Sequence, residues 1–493
     1  MVDMEGTALD ADTAAFLREH HIRAVCLFRK NLGTADEVRK LTTDLREVMG
    51  PRALIGIDQE GGSVIRATFL PQAPAAMALG AIDDVELAEQ VGAAVSRGLR
   101  SLGINWNFAP VLDVNNNPAN PVIAERSFSA DPHAVARLAG AWMRGAMSQG
   151  VACCVKHFPG HGDTHMDSHH ALPVVDKTLA ELEQLELIPF RALAHTAPAV
   201  MTAHIVYPQI DPEHPATLSR KVLTGVLRNA IGYRGVVITD ALMMKAVYDR
   251  YGHARAAVLT LQAGADLVLA QGARHEQLAA LNAIEKAMRC GDLQAPAMAE
   301  ACGRVDALAD AYPSLRVPYS PDQWHADEQL MRSAWQRSLT AVGNPQVPSR
   351  SRPLRVIAQG TVVSDGVSEA GLPLAQVRGL FADFDDVEFL ALPELRKLQT
   401  HHVPRDGRLN VLVSNQRSRY TEAAAQAHID LHCIIWNPFQ ALDIAAPAVV
   451  TWGYAEGALL ALGHWLQGRA VAQAQAPVAL HHYPFPDTSE ALA

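Results

Sequence analysis

The chain has 493 residues, of which 49% are hydrophobic and 19% charged, and its formal net charge is -10. This length exceeds what one hydrophobic core usually serves, so two domains are expected. The acidic balance argues against a nucleic-acid or anionic-membrane partner, and no charge-free apolar run of about 18 residues suggests a membrane span.

The N-terminus and the cysteines indicate a cytoplasmic protein. Residues 1–5 are acidic and lack the basic region and apolar run of a secretory signal. The six cysteines are sparse for this length, and several fall in apolar runs. Free thiols in a reducing compartment explain them better than a disulfide framework does.

Helical and apolar segments alternate along the first part of the chain. Helices are predicted over 12–20, 34–48, 84–102, 132–149, 179–195, 219–229, 245–263 and 275–288. Apolar strands are predicted over 24–28, 53–57, 104–111, 151–155, 199–204, 235–240 and 265–270. Thr34 and Glu37 form a capping-box pattern at the start of the second helix.

Continuously apolar strands between helices indicate a parallel sheet that is covered on both faces. Seven such strands fit a (β/α)8-type TIM barrel in which one unit is irregular. A doubly wound open sheet is the alternative, although no Gly-x-Gly-x-x-Gly turn follows the first strand.

Polar side chains follow most of these strands, at the point where each apolar run ends. They are Asp58, Glu60, Asp113, Lys156, His157, His204, Asp240 and Gln271. The carboxyl-terminal edge of the strands is where barrel enzymes build their active sites. Any one of these residues could be a structural hydrogen-bonding group, but their repetition at six strand ends favours an active site.

Residues 156–173 form a polar segment with five histidines and two aspartates. Pro159, Gly160 and Gly162 prevent a regular helix in its first half, which predicts a functional loop. Asp167 and His169 share a face in extended backbone, so the carboxylate could orient the imidazole for proton transfer near neutral pH.

A metal site is the other interpretation of this segment. The histidines at 157, 161, 165 and 169 have the four-residue spacing that suits zinc on a helix. The proline and glycines break that helix, so the spacing is weak support, although a loop could still gather ligands.

A second domain is predicted after a proline-rich connection. Residues 344–353 contain three prolines and no apolar periodicity. Strand-like runs at 354–358, 409–413, 431–436 and 448–452 then alternate with helical runs, as in an α/β sandwich. The predicted organisation is a barrel over 1–335, a linker over 336–353 and a sandwich domain over 354–493.

The run Lys-His-Phe-Pro-Gly-His-Gly-Asp at 156–163, followed by Asp-Ser-His at 167–169, resembles a known signature. It is the signature of family 3 glycoside hydrolases in their NagZ-like β-N-acetylglucosaminidase branch. Matching segments occur in the right order at 4–6, 58–62, 107–113, 125–128 and 239–242. Weaker matches at 437–439 and 451–454 resemble the sandwich domain of two-domain members.

The resemblance implies a retaining exo-β-N-acetylglucosaminidase that acts through a covalent glycosyl-enzyme. Asp240 matches the nucleophile, His169 the acid/base and Asp167 its partner. The residues that match the sugar-holding positions are Asp58, Arg66, Arg126, Lys156 and His157. Ala241 departs from many single-domain members, which have a second acidic residue there.

The implied substrates are muropeptide-derived or chitin-derived GlcNAc glycosides, as in peptidoglycan recycling. We expect no cofactor and no metal ion, and a monomer or a homodimer. Three alternatives stay open: a phosphorylase with the same site, a metallohydrolase built on the histidine loop, and a sugar-binding module on an inactive barrel.

Overall fold

The computed structural model describes residues 1–168, 172–364, 368 and 371–480, and its first part is built around a parallel sheet. The strands of this part are β1 (Ala24–Leu27), β2 (Leu54–Ile57), β3 (Gln59–Gly61), β4 (Val64–Ile65), β5 (Trp106–Asn107), β6 (Ala152–Phe158), β7 (Ala199–Thr202) and β8 (Val236–Ile238). Its α-helices are α1 (Ala11–Glu19), α2 (Ala35–Met49), α3 (Ala76–Ile82), α4 (Val85–Ser101), α5 (Pro132–Ser148), α6 (Leu179–Gln184), α7 (Leu187–Leu193), α8 (Lys245–Ala263), α9 (Arg274–Cys290), α10 (Ala295–Ala311) and α11 (Pro321–Arg337). A π-helix at Lys221–Ala230 lies between β7 and β8.

The parallel sheet closes into a ring. Six strands run in the order β1-β2-β5-β6-β7-β8. Leu267 bridges Ile238 next to β8, and Val2 bridges both Ala270 and Val25, all in parallel orientation. These two short segments add to the six strands to give the eight positions of a (β/α)8 barrel, which confirms the predicted fold.

The barrel strands are buried along their whole length because they contact a core on each face. Every residue of β1, β2, β5, β6, β7 and β8 is buried. In β1, Val25 and Leu27 pack in the core beneath the helices, whereas Ala24 and Cys26 belong to a separate inner cluster. The same alternation explains why the sequence shows continuous apolar runs in place of a polar face.

Helices α4 and α5 pack at very short range through glycines. A Cβ atom at Gly92 would lie 2.0 Å from the carbonyl oxygen of Trp142, and one at Gly145 would lie 1.9 Å from that of Glu89. No side chain fits at these distances, so each helix presents bare backbone to the other.

The second part of the chain forms another parallel sheet. Its elements are β9 (Thr340–Val342), β10 (Leu354–Gln359), α12 (Leu374–Leu380), β11 (Val387–Leu392), β12 (Leu409–Ser414), β13 (Leu431–Ile434), β14 (Ala448–Val450) and α13 (Glu456–Leu466). The strand order is β11-β10-β12-β13-β14-β9, and among the described strands of this sheet only the pairing of β14 with β9 is antiparallel. Apolar clusters cover both faces of the sheet.

Strand β9 lies inside residues 336–353, the range predicted as a linker. Its three residues pair with β14, so the chain enters the second sheet before the proline-rich segment. A strand of three residues is too short to show a hydrophobic period, which is why composition alone did not reveal it.

Trp335, at the end of α11, packs between the two parts of the chain. Its indole nitrogen donates to the carbonyl oxygen of Gln72 at 3.0 Å. A Cβ at Gly453 or Gly457 would lie 2.6 or 2.5 Å from its ring, so only a glycine leaves room for the indole at these two positions.

Among the described residues, no helix combines the length and the apolar character that a membrane span requires.

We expect Gly92→Ala to lower the free energy of unfolding by about 1–3 kcal/mol or more, because the new methyl group overpacks the contact between α4 and α5. Urea denaturation measures this loss. Gly303→Ala in α10 is the matched control, since a Cβ at Gly303 would have no atom within 4 Å. Gly303→Ala should raise the free energy of unfolding by up to about 1 kcal/mol, because alanine favours a helix more than glycine does. Equal effects of the two substitutions would contradict the packing account.

Candidate active site

A cavity of about 260 Å³ lies at the carboxyl-terminal edge of the barrel strands. Asp58 follows β2, Lys156 lies in β6 and Asp240 follows β8, so three distant strands contribute charged groups to it. The charged and polar residues of its wall are Asp58, Glu60, Arg66, Arg126, Lys156, His157, His161, Ser168, Asp240 and Gln271. The predicted gathering of strand-end side chains therefore occurs.

The hairpin formed by β3 and β4 covers one side of this cavity and carries Glu60 and Arg66. Gly61 and Gly62 form its turn with positive φ, and a Cβ at Gly61 would lie 2.4 Å from the carbonyl oxygen of Pro74. The Gln59 side-chain oxygen accepts from the backbone N–H groups of Arg66 at 2.9 Å and Ala67 at 3.0 Å. The hairpin is thus fixed at both its turn and its base.

Lys156 is the centre of a buried ion cluster. Its Nζ lies 2.7 Å from Asp58 Oδ1 and 2.6 Å from Glu60 Oε1. Arg126 holds Glu60 with two bonds, Nε to Oε2 at 2.9 Å and Nη2 to Oε1 at 2.8 Å. Arg66 Nη2 lies 3.9 Å from Asp58 Oδ2.

Burial opposes the charges of this cluster, but the partners outweigh it. Burial alone would raise the pKa of Glu60, yet Arg126 and Lys156 hold it well below its ordinary value. Burial alone would lower the pKa of Lys156, yet Asp58 and Glu60 raise it. Glu60, Lys156 and Arg126 therefore stay ionised at neutral pH.

The charges in the cavity wall balance. Its described residues include three carboxylates, Asp58, Glu60 and Asp240, and three permanent cations, Arg66, Arg126 and Lys156. A balanced set of strong donors and acceptors suits a neutral ligand that carries many hydroxyl groups.

The remaining described residues of the cavity wall are apolar. They are Phe28, Val64, Phe108, Val122, Met201, Ala241, Met243, Met244 and Leu269. A concave site with apolar walls and a few convergent polar groups is typical of small-molecule binding.

Asp113 fixes the backbone and ring of the histidines that follow β6. Its Oδ1 accepts from the backbone N–H groups of His157 at 3.1 Å and His161 at 2.6 Å, and its Oδ2 lies 2.7 Å from His157 Nδ1. Burial opposes ionisation, but the two histidines lower the pKa of Asp113. Because Asp113 engages His157 Nδ1, Nε2 is the ring nitrogen through which a ligand in the cavity would contact His157.

His161 links this network to the loop that bears the predicted proton-transfer pair. Its Nδ1 lies 2.9 Å from Thr164 Oγ1, and its Nε2 lies 3.0 Å from Ser168 Oγ. Burial lowers the pKa of His161 to about 4, so the ring is neutral near pH 7. The carbonyl oxygen of Ser168 accepts from Ala246 N at 3.3 Å, which docks the loop on the start of α8.

Asp240 lies at a strand end whose backbone is held from several sides. Its Oδ1 accepts from Ala241 N at 2.7 Å. His204 Nε2 donates to the carbonyl oxygen of Ala241 at 2.9 Å, and Thr239 Oγ1 accepts from Leu269 N at 2.9 Å. The Asp240 side chain is half-buried in the cavity wall, so its carboxylate is accessible to a small ligand.

The structure brings most of the sequence-predicted site residues together. Asp58, Arg66, Arg126, Lys156, His157 and Asp240 all line the cavity. Asp167 is next to Ser168 of the wall without itself belonging to the described lining. His169, the predicted acid/base, lies outside the described residues.

From the sequence, Glu60 and Asp113 were predicted only to lie at strand ends, and no function was predicted for His161. Glu60 proves to be the partner of Lys156 and Arg126, and Asp113 the anchor of His157. Their position directly after apolar runs was the available signal. Within the part of the chain that the structure describes, no three His, Cys, Asp or Glu side chains are placed to hold a metal ion.

Comparisons with known proteins agree with this geometry. The model of the glycosyl hydrolase family 3 N-terminal domain matches residues 1–308. A β-hexosaminidase of Chromobacterium violaceum is 36% identical over 357 residues, which cover 70% of this chain and 97% of that protein. The β-hexosaminidase A of Pseudoalteromonas piscicida is 38% identical over 287 residues, and this alignment spans 53% of the chain and about half (48%) of that protein.

A solved structure resembles both parts of the chain. It is a family 3 β-N-acetylglucosaminidase of Paenibacillus sp. strain FPU-7, with a TM-score of 0.86 and 33% sequence identity. The likeness covers 97% of each chain. The barrel and the second sheet therefore occur together in a protein of known structure.

We expect Lys156→Met to lower the free energy of unfolding by roughly 3–5 kcal/mol at pH 7, because two carboxylates lose a buried cation. Urea denaturation measures this loss. Lys40→Met is the control, since Lys40 pairs with Asp44 on the surface and should cost less than about 1 kcal/mol.

The decrease in the free energy of unfolding caused by Lys156→Met should become smaller at acidic pH. A lowered carboxyl pKa stabilises the folded state above the ordinary pKa of Glu60, 4.5, and this stabilisation is lost as the pH falls. Because Lys156 helps to lower the pKa of Glu60, the difference between the two proteins should shrink progressively as the pH falls below 4.5, toward the lowered pKa of Glu60 in the wild-type protein. A constant difference across pH would contradict the electrostatic account.

Proposed function

The chain belongs to glycosyl hydrolase family 3, as its signature predicted, and from this premise we propose that it is a retaining exo-β-N-acetylglucosaminidase. The proposal rests on one observation: Asp240 lines the same cavity as Asp58, Lys156 and Arg126 of the ion cluster. It removes a terminal GlcNAc residue from a glycoside and forms a covalent glycosyl-enzyme on the way.

The size of the cavity supports action on one terminal sugar. About 260 Å³ lies below the range of roughly 300–1,000 Å³ that serves drug-sized ligands. One sugar ring is a better match for this volume than an oligosaccharide. The rest of the glycoside then lies outside as the leaving group.

The charged and polar side chains of the cavity wall hold the sugar by its hydroxyl and acetamido groups. Asp58 accepts hydrogen bonds from hydroxyl groups, while Lys156 and His157 donate to sugar oxygens. Arg66 and Arg126 donate to hydroxyl or acetamido oxygens. Bonds made to fixed side chains cost little reorganisation, so the sugar is oriented for attack when it binds.

Asp240 is the nucleophile of this mechanism. Its carboxylate attacks the anomeric carbon and forms a glycosyl ester, while His169 gives a proton to the leaving oxygen. His169, oriented by Asp167, then takes a proton from water, which hydrolyses the ester and releases the sugar. The backbone bonds around Ala241 keep the nucleophile still during both steps.

Water is the proposed acceptor, and a phosphorylase is the second candidate. A neutral histidine repels phosphate less than a carboxylate would, so phosphate could enter in place of water. The balanced charges of the described cavity wall favour a neutral acceptor, since they leave no excess positive charge for phosphate.

The biological setting is proposed as cytoplasmic turnover of muropeptide-derived or chitin-derived glycosides, including peptidoglycan recycling. All six cysteines are free thiols, and Cys290 and Cys302 are exposed. Exposed thiols persist most readily in a reducing compartment, which supports the cytoplasmic assignment.

We expect Asp240→Asn to lower kcat on a chromogenic GlcNAc glycoside by more than about 10³-fold, because an amide cannot form the glycosyl ester. Asp249→Asn, on the exposed face of α8, is the matched control and should keep full activity. Steady-state kinetics compares the two. Near-wild-type turnover by Asp240→Asn would rule out the mechanism.

The acceptor can be identified from the product. We expect free GlcNAc with β configuration at the earliest times, both with and without inorganic phosphate, because two displacements retain the anomeric configuration. Proton NMR during turnover distinguishes the anomers and any sugar 1-phosphate. A sugar 1-phosphate that appears only with phosphate would establish the phosphorylase in place of the hydrolase.

A further inference from the structure

The second domain touches the part of the barrel that carries Arg126. We propose that Arg417 and Trp436 are positioning residues, which hold Arg126 in place for the sugar across the domain interface. The inference rests on the proposed sugar-binding role of Arg126 and goes beyond it, because it assigns the second domain a share in substrate binding.

Arg417 and Arg126 share one acceptor. The carbonyl oxygen of Val122, a residue of the cavity wall, accepts from Arg417 Nη2 at 2.5 Å and from Arg126 Nη1 at 3.3 Å. The second domain thus fixes an atom to which the sugar-binding guanidinium is itself bonded. A shift of this carbonyl would turn Arg126 relative to Glu60, its other partner.

Glu125, the residue before Arg126, is the second point of attachment. Its side chain is fully buried, and its Oε1 accepts from Trp436 Nε1 at 3.0 Å and from Ser63 Oγ at 2.6 Å. Its Oε2 faces Arg417 Nη2 at 3.8 Å. A buried carboxylate needs such partners, so Glu125 binds the β3–β4 hairpin and the second domain at once.

The two positioning residues are neighbours because of the second sheet. Arg417 follows β12 and Trp436 follows β13, and these strands pair in parallel. Asn437 Nδ2 donates to the carbonyl oxygen of Arg417 at 2.9 Å, which joins the two strand ends. Arg419 extends the contact, since its Nη1 donates to the carbonyl oxygen of Pro118 at 2.7 Å.

The turn that bears Arg126 needs support from outside. Residues Ala124–Arg126 form a single 3-10 turn, and Ala124 has φ of +38°. A non-glycine residue in this region is unfavourable and persists only where its surroundings determine it. The bonds to Val122 and Glu125 flank this residue on both sides. Because these bonds lie directly beside Arg126, we infer that they fix its position as well as holding the two domains together.

The test compares variants of the full-length protein. Arg417→Ala removes both contacts, Arg417→Lys keeps the charge without the planar fork, and Trp436→Phe removes one N–H group while keeping most of the ring. Arg396→Ala is the matched control, because Arg396 is an exposed arginine of the same domain. The readouts are kcat, KM, the Kd of GlcNAc by calorimetry, and Tm.

For Arg417→Ala we expect KM and the GlcNAc Kd to rise about tenfold, with a smaller change in kcat and an unchanged pH profile, because a binding group is displaced. Trp436→Phe and Arg417→Lys should give about threefold increases. If Arg417→Ala does not fold, these two variants decide the question. A fall in Tm with unchanged KM and Kd would overturn the proposal.

A double-mutant cycle tests the route of the effect. If Arg417 acts through Arg126, then Arg417→Ala should change the GlcNAc Kd little once Arg126→Ala is present. Full additivity, or an Arg126→Ala variant with unchanged Kd, would overturn the proposal. GlcNAc binding is read without turnover, so failure of the proposed reaction would show separately, as inactivity of a wild-type protein that still binds the sugar.

Discussion

The buried ion cluster around Lys156 is the constraint on which the rest of the site depends. An ammonium group that is almost fully shielded from water is unfavourable unless carboxylates lie beside it, and Asp58 and Glu60 do so at 2.7 and 2.6 Å. Those two carboxylates come from β2 and its following hairpin, while Lys156 comes from β6. Both strands pair with β5, so the curled sheet brings the ammonium and the two carboxylates within reach, and fold and site stabilise each other.

The cluster also determines what the cavity can bind. Because Glu60 is held by both Lys156 and Arg126, its carboxylate has a structural role, whereas the Asp58 side chain is more exposed, at 18% against 7% for Glu60. Fixed charges of both signs in a small space favour a neutral polyhydroxyl ligand over an ion. Under the function proposed above, these fixed groups are preorganised for sugar hydroxyls before any substrate arrives.

Local patterns carried enough information to predict the barrel and much of the site. Thr34 and Glu37 form the capping box that their spacing predicted, and Asp58, Lys156 and Asp240 meet because parallel strands end at one edge. The segment around Val2 was missed because a single bridging residue has no period to detect. The function of His161 was missed for another reason: its contacts with Ser168 and Thr164 depend on how the loop folds, and loop conformation is not a periodic property.

Contacts between the two domains lie furthest from what a sequence pattern can reveal. Trp436 and Glu125 are 311 positions apart, and no apolar period of the sequence connects them. Their hydrogen bond forms because the second sheet ends close to the barrel turn that contains Glu125. The carboxyl-terminal edge of the second sheet presents Arg417 and Trp436 to the barrel turn at Ala124–Arg126. In both parallel sheets the carboxyl-terminal edge therefore carries polar side chains that contact neighbouring elements, and the buried Glu125 side chain accepts from Ser63 of the β3–β4 hairpin and from Trp436 of the second domain.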